Sequence, residues 1–397
     1  MNRIYDFDKE IDLSSPWLWK RNGLKSQHGT SDMISLWSAD MDFMACDEII
    51  DAIKEYVNMG VFGYLRKDNE YYDAVAGWYR EYHGLNIKRS AMVQAHGALP
   101  LVSACINTFT KESGIVVVQT PTYWRLYECV SDNGRVLVFN NLRLSNGRWE
   151  MDFDELERQL KTADMFIICS PSNPTGRVWT HEELRTVCEL CVKYDVMLLS
   201  DEMHCDFAYN GHKHIPILSV MPEMETNRRR QPAKAIQIVS TSKTFNLASI
   251  STATAFGNSN LYAKKLWNYR NASIAKADNA LSAVATKAAY QYGHEWLSQC
   301  KDYVYSNYVY IKEFLAANAA GIIPAELEGT FLVWLDCREL AAAGIDVTEF
   351  FEKSAKIAGD SGSKFGKDFS AFYRLNIATR RANIVEAMER ISLAYKH

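Results

Sequence analysis

Lys243 stands in "STSKTF" (Ser240–Phe245), directly after the apolar run "AIQIV". A short apolar run of that kind reads as a strand buried on both faces. An ammonium beside a sheet core is costly unless it is paired or chemically converted. A lysine joined to a carbonyl compound as a Schiff base meets that condition and makes the residue a covalent catalyst. Other chemistry-bearing residues occupy matching places. Asn173 follows "MFIIC" in "SPSNPTGR", Asp201 follows "VMLLS" in "DEMH", and Tyr123 follows "GIVVV" in "QTPTYW". Gly97 opens the helical stretch in "AHGALPLVSACINTF".

Taken singly, each has an ordinary reading. A strand-end aspartate is often a helix cap, "NPTG" is a good turn, a tyrosine after Pro-Thr is usually packing, and a lysine in SxSK is often a surface residue. Taken together, in this order and each after its own strand, they match the parts of a pyridoxal phosphate (PLP) site. Such a site needs a lysine for the Schiff base and a carboxylate that keeps the pyridine nitrogen protonated. It also needs a donor to the phenolic oxygen, an aromatic ring to stack, and helix N-terminal amides for the phosphate. Lys243, Asp201, Asn173, Tyr123 and the amides of Ala98 and Leu99 fill those places in turn.

The elements that must position these residues are strands at Gly114–Gln119, Arg135–Asn140, Met165–Ser170, Val196–Asp201 and Ala235–Ser240, with amphipathic stretches such as Thr180–Tyr194 between most of them. Strand–helix alternation implies an α/β fold with a mostly parallel central sheet covered on both faces. In such sheets ligands sit beyond the carboxyl ends of the strands. The charged stretch Glu223–Lys234 reads as an exposed loop. From Ala280 the pattern becomes α+β: a long helical region to about Ala317, "GTFLVWLD", a helix near Val347–Ala358, "FYRLNIA" and a last helix from Asn383. The expected organisation is an N-terminal segment (1–45) packing with the small domain, a large PLP-binding domain (46–283) and a small C-terminal domain (284–397).

Totals narrow the function classes. With 397 residues there is material for two domains and a large core. A net charge of −4 gives no basic surplus for nucleic acid. No apolar run approaches the ~20 residues of a membrane span, and "MNRIYDFDKE" lacks a signal-peptide core. Nine scattered cysteines fit reduced thiols in a cytosol. Cys188 and Cys191 form a CxxC that reads as helix packing, and His212 and His214 read as a polar loop, not metal ligands.

The chain resembles the fold-type I PLP-dependent enzymes of the aminotransferase class I/II superfamily. Within them it is most similar to the cystathionine β-lyase-like branch of C–S lyases, the group typified by MalY, PatB and cystalysin. The resemblance spans nearly the whole chain and is carried by "SADMDF", "VFGYLR", "SPSNPTGRVWTHEEL", "SDEMHCDF", "GHKHIPI", "SKTFNLA", "EGTFLVWLD" and "FYRLNIA". It implies that Lys243 is the Schiff-base lysine, Asp201 the pyridine-nitrogen partner and Asn173 the phenolate partner. Tyr123 would stack on the ring, and Ser240 and Ser242 would join the Ala98 and Leu99 amides on the phosphate. Tyr64 would reach the phosphate of a neighbouring subunit, making a homodimer with composite active sites. Arg374 would clamp the α-carboxylate of a small amino acid substrate, with Asn173 beside it, as guanidinium geometry suits. Ser172 stands where the family commonly has histidine, and Ser251 where aminotransferases of this fold usually have arginine. "PTYWRLYE" brings Trp124 and Arg125 to the substrate mouth. The resemblance implies a cytoplasmic lyase that cleaves an L-cysteine thioether to a thiol, pyruvate and ammonia. An aminotransferase and a PLP-binding regulatory protein remain the alternatives, because the cofactor residues are common to all three.

Overall fold

The structure is a computed structural model and describes residues 3–221, 233–250, 252–273 and 279–396. Its centre is a seven-stranded sheet. In chain order the strands are β1 (Met92–Ala95), β2 (Ile115–Thr120), β3 (Val136–Asn141), β4 (Met165–Cys169), β5 (Met197–Asp201), β6 (Ala235–Val239) and β7 (Ala253–Gly257). Their spatial order is β1-β7-β6-β5-β4-β2-β3. The run from β6 to β3 is parallel, and β7 is antiparallel to both its neighbours.

The period-2 pleat explains why these strands are apolar throughout. In β4, Phe166 and Ile168 enter one core with Leu184, Val187, Cys188 and Cys191 of the helix His181–Lys193. Met165 and Ile167 point the other way, into a second core with Leu101, Val102 and Cys105 of the helix Ala98–Phe109. The CxxC cysteines are thus core residues of a helix.

The carboxy-terminal part holds a four-stranded antiparallel sheet. Its strands are β8 (Ile323–Pro324), β9 (Leu332–Asp336), β10 (Asp360–Ser361) and β11 (Phe372–Asn376), in the order β8-β9-β11-β10. Helices His294–Asn318 and Arg381–Tyr395 share its core through Val304, Ile311, Ile384 and Met388.

The N-terminal segment threads between the two parts. Ile34–Ser35 pairs in parallel with Ile357–Ala358. Asn246, just beyond Lys243, accepts from the Met41 amide at 2.9 Å and donates to the carbonyls of Met41 and Phe43 at 3.0 and 2.8 Å. Asn376 at the end of β11 donates to the Asp40 carbonyl at 2.7 Å. "ADMDF" is therefore a strap tied to both the lysine loop and β11.

Several elements differ from the sequence reading. The strands β1 and β7 were not expected, because "MVQA" is short and "ATAFG" is too rich in small and polar residues to read as a buried strand. The long helix from Ala280 is two, Ala280–Tyr292 and His294–Asn318, joined at Gly293. A Cβ there would lie 2.2 Å from the Phe245 ring, so only glycine lets the helices pass the lysine loop. The expected helix near Val347–Ala358 stops early, in a turn Val347–Glu349 and a π-helical turn Phe350–Ser354, because Ile357 and Ala358 are held as a strand by Ile34 and Ser35. Most of the charged stretch Glu223–Lys234, and Ser251, lie outside the described residues.

Candidate active site

One cavity of about 690 Å³ opens beyond the carboxyl ends of the central strands, between the two parts of the chain. Its lining includes Ala98, Leu99, Tyr123, Asn173, Asp201, Ser242, Lys243 and Arg374. Sheet order explains the meeting: β4, β5 and β6 are adjacent and parallel, so the residues at their ends converge on one point.

Lys243 sits in the helical turn Thr241–Thr244, whose N-cap is Ser240. The Ser240 hydroxyl accepts from the Ser242 amide at 3.0 Å and donates to the Thr252 carbonyl. Ser240 therefore stands behind Ser242 and does not line the cavity itself. Lys243 Nζ donates to the Ala39 carbonyl of the strap at 2.6 Å. Burial pushes its amine down to about 8; Asp40 and Asp201 oppose that shift and Arg374 adds to it.

Asp201 is buried, and burial raises its carboxyl to about 6. The Met203 amide and Lys243 pull it back, while Glu202 pushes it further up. Behind it, Glu202 is completely buried and accepts from Ser200 Oγ at 2.8 Å and the Ile217 amide at 2.9 Å. Its other oxygen pairs with His214 Nε2 at 2.7 Å. "GHKH" is a loop with His212 exposed, as the sequence reading has it, but His214 is buried against the Glu202 carboxylate. His204, also buried and lining the cavity, packs edge-on against Phe331, and burial drives its imidazole well below its ordinary value. Neither Glu202 nor His204 was singled out in the sequence, although both fall in "SDEMHCDF".

Asn173 accepts from Arg374 Nη1 at 2.9 Å through its side-chain oxygen, which leaves its NH₂ as a donor. Arg374, only 2% exposed, also donates through Nη2 to the Trp37 carbonyl at 3.1 Å and to Asp360. The partner Asp360 was not foreseen. It is delivered by register, since Asp360 on β10 faces Arg374 on β11. Tyr123 is partly buried and lies edge-on to Trp124 at 5.1 Å. Tyr64 is fully exposed and does not line this cavity.

The residues fit pyridoxal phosphate. Gly97 caps the helix Ala98–Phe109 at φ 101°, a conformation that favours glycine. The first amides of that helix have no partner within the helix and border the cavity, a ready phosphate cradle. Lys243, Asp201 and the Asn173 NH₂ supply an amine, an anion and a donor on the same cavity wall.

A second buried network ties the "NPTG" loop to the segment leading into β9. Arg177 Nε donates to Glu328 Oε2 at 2.9 Å, and its Nη2 reaches both oxygens of Glu183 at 2.9 and 3.0 Å. Glu328 also accepts from the Val178 amide at 2.9 Å and from Arg148.

Comparison with known proteins agrees with this geometry. Residues 31–391 match the family "Aminotransferase class I and II". Cystathionine beta-lyase PatB of Bacillus subtilis (strain 168) is 30% identical over 378 residues, 95% of each chain. Among solved structures, a PLP-bound putative aminotransferase from Clostridium difficile 630 superposes with a TM-score of 0.93 at 31% identity, over 99% of this chain and 100% of that one. Cystalysin from Treponema denticola, a structure that contains pyridoxal 5'-phosphate, gives 0.92 at 28%, over 99% of each. The chain belongs to the aminotransferase class I and II family.

Proposed function

We propose that this chain is a PLP-dependent carbon–sulfur β-lyase that cleaves an L-cysteine thioether of the cystathionine type to a thiol, pyruvate and ammonia. The observation that carries the reading is the meeting of Lys243, Asp201 and Asn173 at three adjacent strand ends, with Arg374 bonded to Asn173. The lyase motifs "ADMDF", "GRVWT" and "SKTFNLA" favour elimination, and the likeness to PatB and cystalysin supports it.

When bound, pyridoxal phosphate supplies an electron sink for the pair left behind by a departing Cα proton. The chain's own residues do the rest. The amides of Ala98 and Leu99 and the Ser242 hydroxyl, braced by Ser240, would hold the phosphate. Asp201 would keep a proton on the pyridine nitrogen, and Asn173 would donate to the phenolic oxygen. Tyr123 would cover the ring. Arg374 would hold the α-carboxylate and so orient the Cα–H bond. Lys243, which would carry the cofactor, would take the Cα proton; an amine near 8 has a usable neutral fraction at neutral pH.

The finer organisation follows. Residues 46–283 form the PLP-binding domain and 284–397 the small domain, with the 1–45 segment joining them. The chain works as a homodimer, with Tyr64 reaching the partner's phosphate. Exposure of Val61, Phe62 and Tyr64 at 72%, 66% and 109% supports this, since contiguous exposed apolar groups mark interfaces. All nine cysteines are free, in keeping with a cytoplasmic enzyme. Among the described residues no helix is long and apolar enough to cross a membrane.

An aminotransferase uses the same residues up to Cα deprotonation. The deciding experiment supplies the PLP-loaded protein with S-substituted L-cysteines and, separately, with an amino acid and a 2-oxo acid. Thiol, pyruvate and ammonia in equal amounts are expected. Amino-group transfer without pyruvate release identifies an aminotransferase instead, and neither product identifies a binding protein.

A further inference from the structure

The cavity's cations are arranged in two tiers. Arg374 and Lys243 lie inside, and Arg374 is tied to the cofactor end through Asn173. Lys364 and Arg125 lie further out, with side chains 38% and 54% exposed. Trp124 belongs to both tiers. Lys364 Nζ lies 5.6 Å from its ring centre and the Arg374 guanidinium 5.9 Å, while Arg125 follows it in the chain. The indole is itself held by an edge-on contact with Phe365 at 5.2 Å.

Asp360 links the tiers. Its side chain is 2% exposed, one oxygen accepts from Lys364 Nζ at 2.8 Å, and the other is bonded to Arg374. A carboxylate so placed holds the Lys364 ammonium at the cavity wall instead of leaving it to roam in solvent. Arg125 is paired with Glu128, itself 47% exposed, and a surface pair of that kind is weak enough to be shared with a ligand.

The acids complete the picture. Among the described lining residues the carboxylates are Asp201 and Asp360. Asp360 is bonded to two cations, and Asp201 is buried at the end of β5. A positively charged group on the substrate's thiol half therefore meets no uncommitted carboxylate among the described lining residues. A negatively charged one meets two cations on the outer wall, Lys364 beside the Trp124 indole and Arg125.

We propose that Lys364, with Arg125, reads an anionic group on the thiol half of the substrate, so that the enzyme favours S-substituted L-cysteines whose leaving thiol carries a carboxylate. This rests on the C–S lyase reading and names its substrate class. Lys364 is a specificity residue, and Asp360 is the positioning residue that holds it.

The test uses the PLP-loaded protein and three amino acids of nearly equal length: S-(2-carboxyethyl)-, S-propyl- and S-(2-aminoethyl)-L-cysteine. The carboxyethyl compound is expected to exceed the propyl compound in kcat/KM by about five- to tenfold, and the aminoethyl compound to fall below both. The aminoethyl thiol is the most acidic of the three leaving groups, so leaving-group ability alone would put that compound first, not last. In Lys364→Met the carboxyethyl-to-propyl ratio should collapse to within about twofold, and Lys364→Arg should restore it. Raising the salt concentration should shrink the wild-type ratio, as it does for partly exposed charge pairs and not for a purely structural role. A wild-type ratio near one, or a ratio unchanged in Lys364→Met, overturns the inference while leaving the lyase reading intact. Absence of pyruvate from all three overturns the lyase reading. In that case the affinity order, read from the absorbance change of the bound cofactor, still decides the charge preference.

Discussion

Replacing Arg374 with alanine tests how the structure holds substrate. Three bonds within the protein disappear, to Asn173, the Trp37 carbonyl and Asp360. The proposed contact with the substrate α-carboxylate would be lost as well. A charge-assisted hydrogen bond contributes on the order of 1.5–3 kcal/mol, which corresponds to a loss of roughly ten- to a hundredfold in kcat/KM. The loss should appear in both constants: KM rises because the carboxylate has lost its anchor, and kcat falls because the Cα–H bond is no longer aligned and Asn173 has lost its orienting partner. Breaking a buried ion pair from one side costs about 3–5 kcal/mol, and the lower end applies here because Lys364 still faces Asp360. Initial rates of pyruvate release from S-propyl-L-cysteine and a thermal melt read both effects. Arg374→Lys keeps the charge but not the fork and should fall between wild type and alanine. A folded alanine variant with wild-type kcat/KM would show that the carboxylate is held elsewhere.

Two further outcomes are expected. Glu328 is buried, yet Arg177, the Val178 amide and Arg148 outweigh desolvation and hold its carboxyl below the ordinary 4.5. A depressed carboxyl stabilises the fold above its unfolded value and loses that contribution as pH falls through the folded one. Glu328→Gln should therefore cost about 3 kcal/mol by denaturant melts at neutral pH, with the gap to wild type closing below pH 4.5; a constant gap would contradict it. Tyr64→Phe should weaken PLP retention in a cofactor titration without dissociating the dimer in sedimentation, and a fully active monomer would exclude the shared site.

The parts that were legible in the sequence are those with a local signature. The runs "MFIIC", "VMLLS" and "AIQIV" read as strands because both faces are buried, and the residues after them read as site residues because parallel sheets place ligands there. Strand β7 was missed because its "ATAFG" carries alanine and threonine where a buried strand usually carries larger side chains. Asp360, Glu202 and His204 were missed because their significance is tertiary. Asp360 meets Arg374 only through the register of β10 and β11, and His214 is drawn inside only because Glu202 is already there. No spacing rule pairs residue 202 with 214, or 360 with 374.

The central claim is that Lys243 is the covalent attachment point for pyridoxal phosphate, and one measurement addresses it directly. The PLP-loaded protein is reduced with borohydride, digested, and the peptides are weighed by mass spectrometry. The account predicts one stoichiometric phosphopyridoxyl adduct, on the peptide bearing Lys243, and none in Lys243→Ala. An adduct on another lysine, or no adduct from protein that has taken up the cofactor, would contradict it.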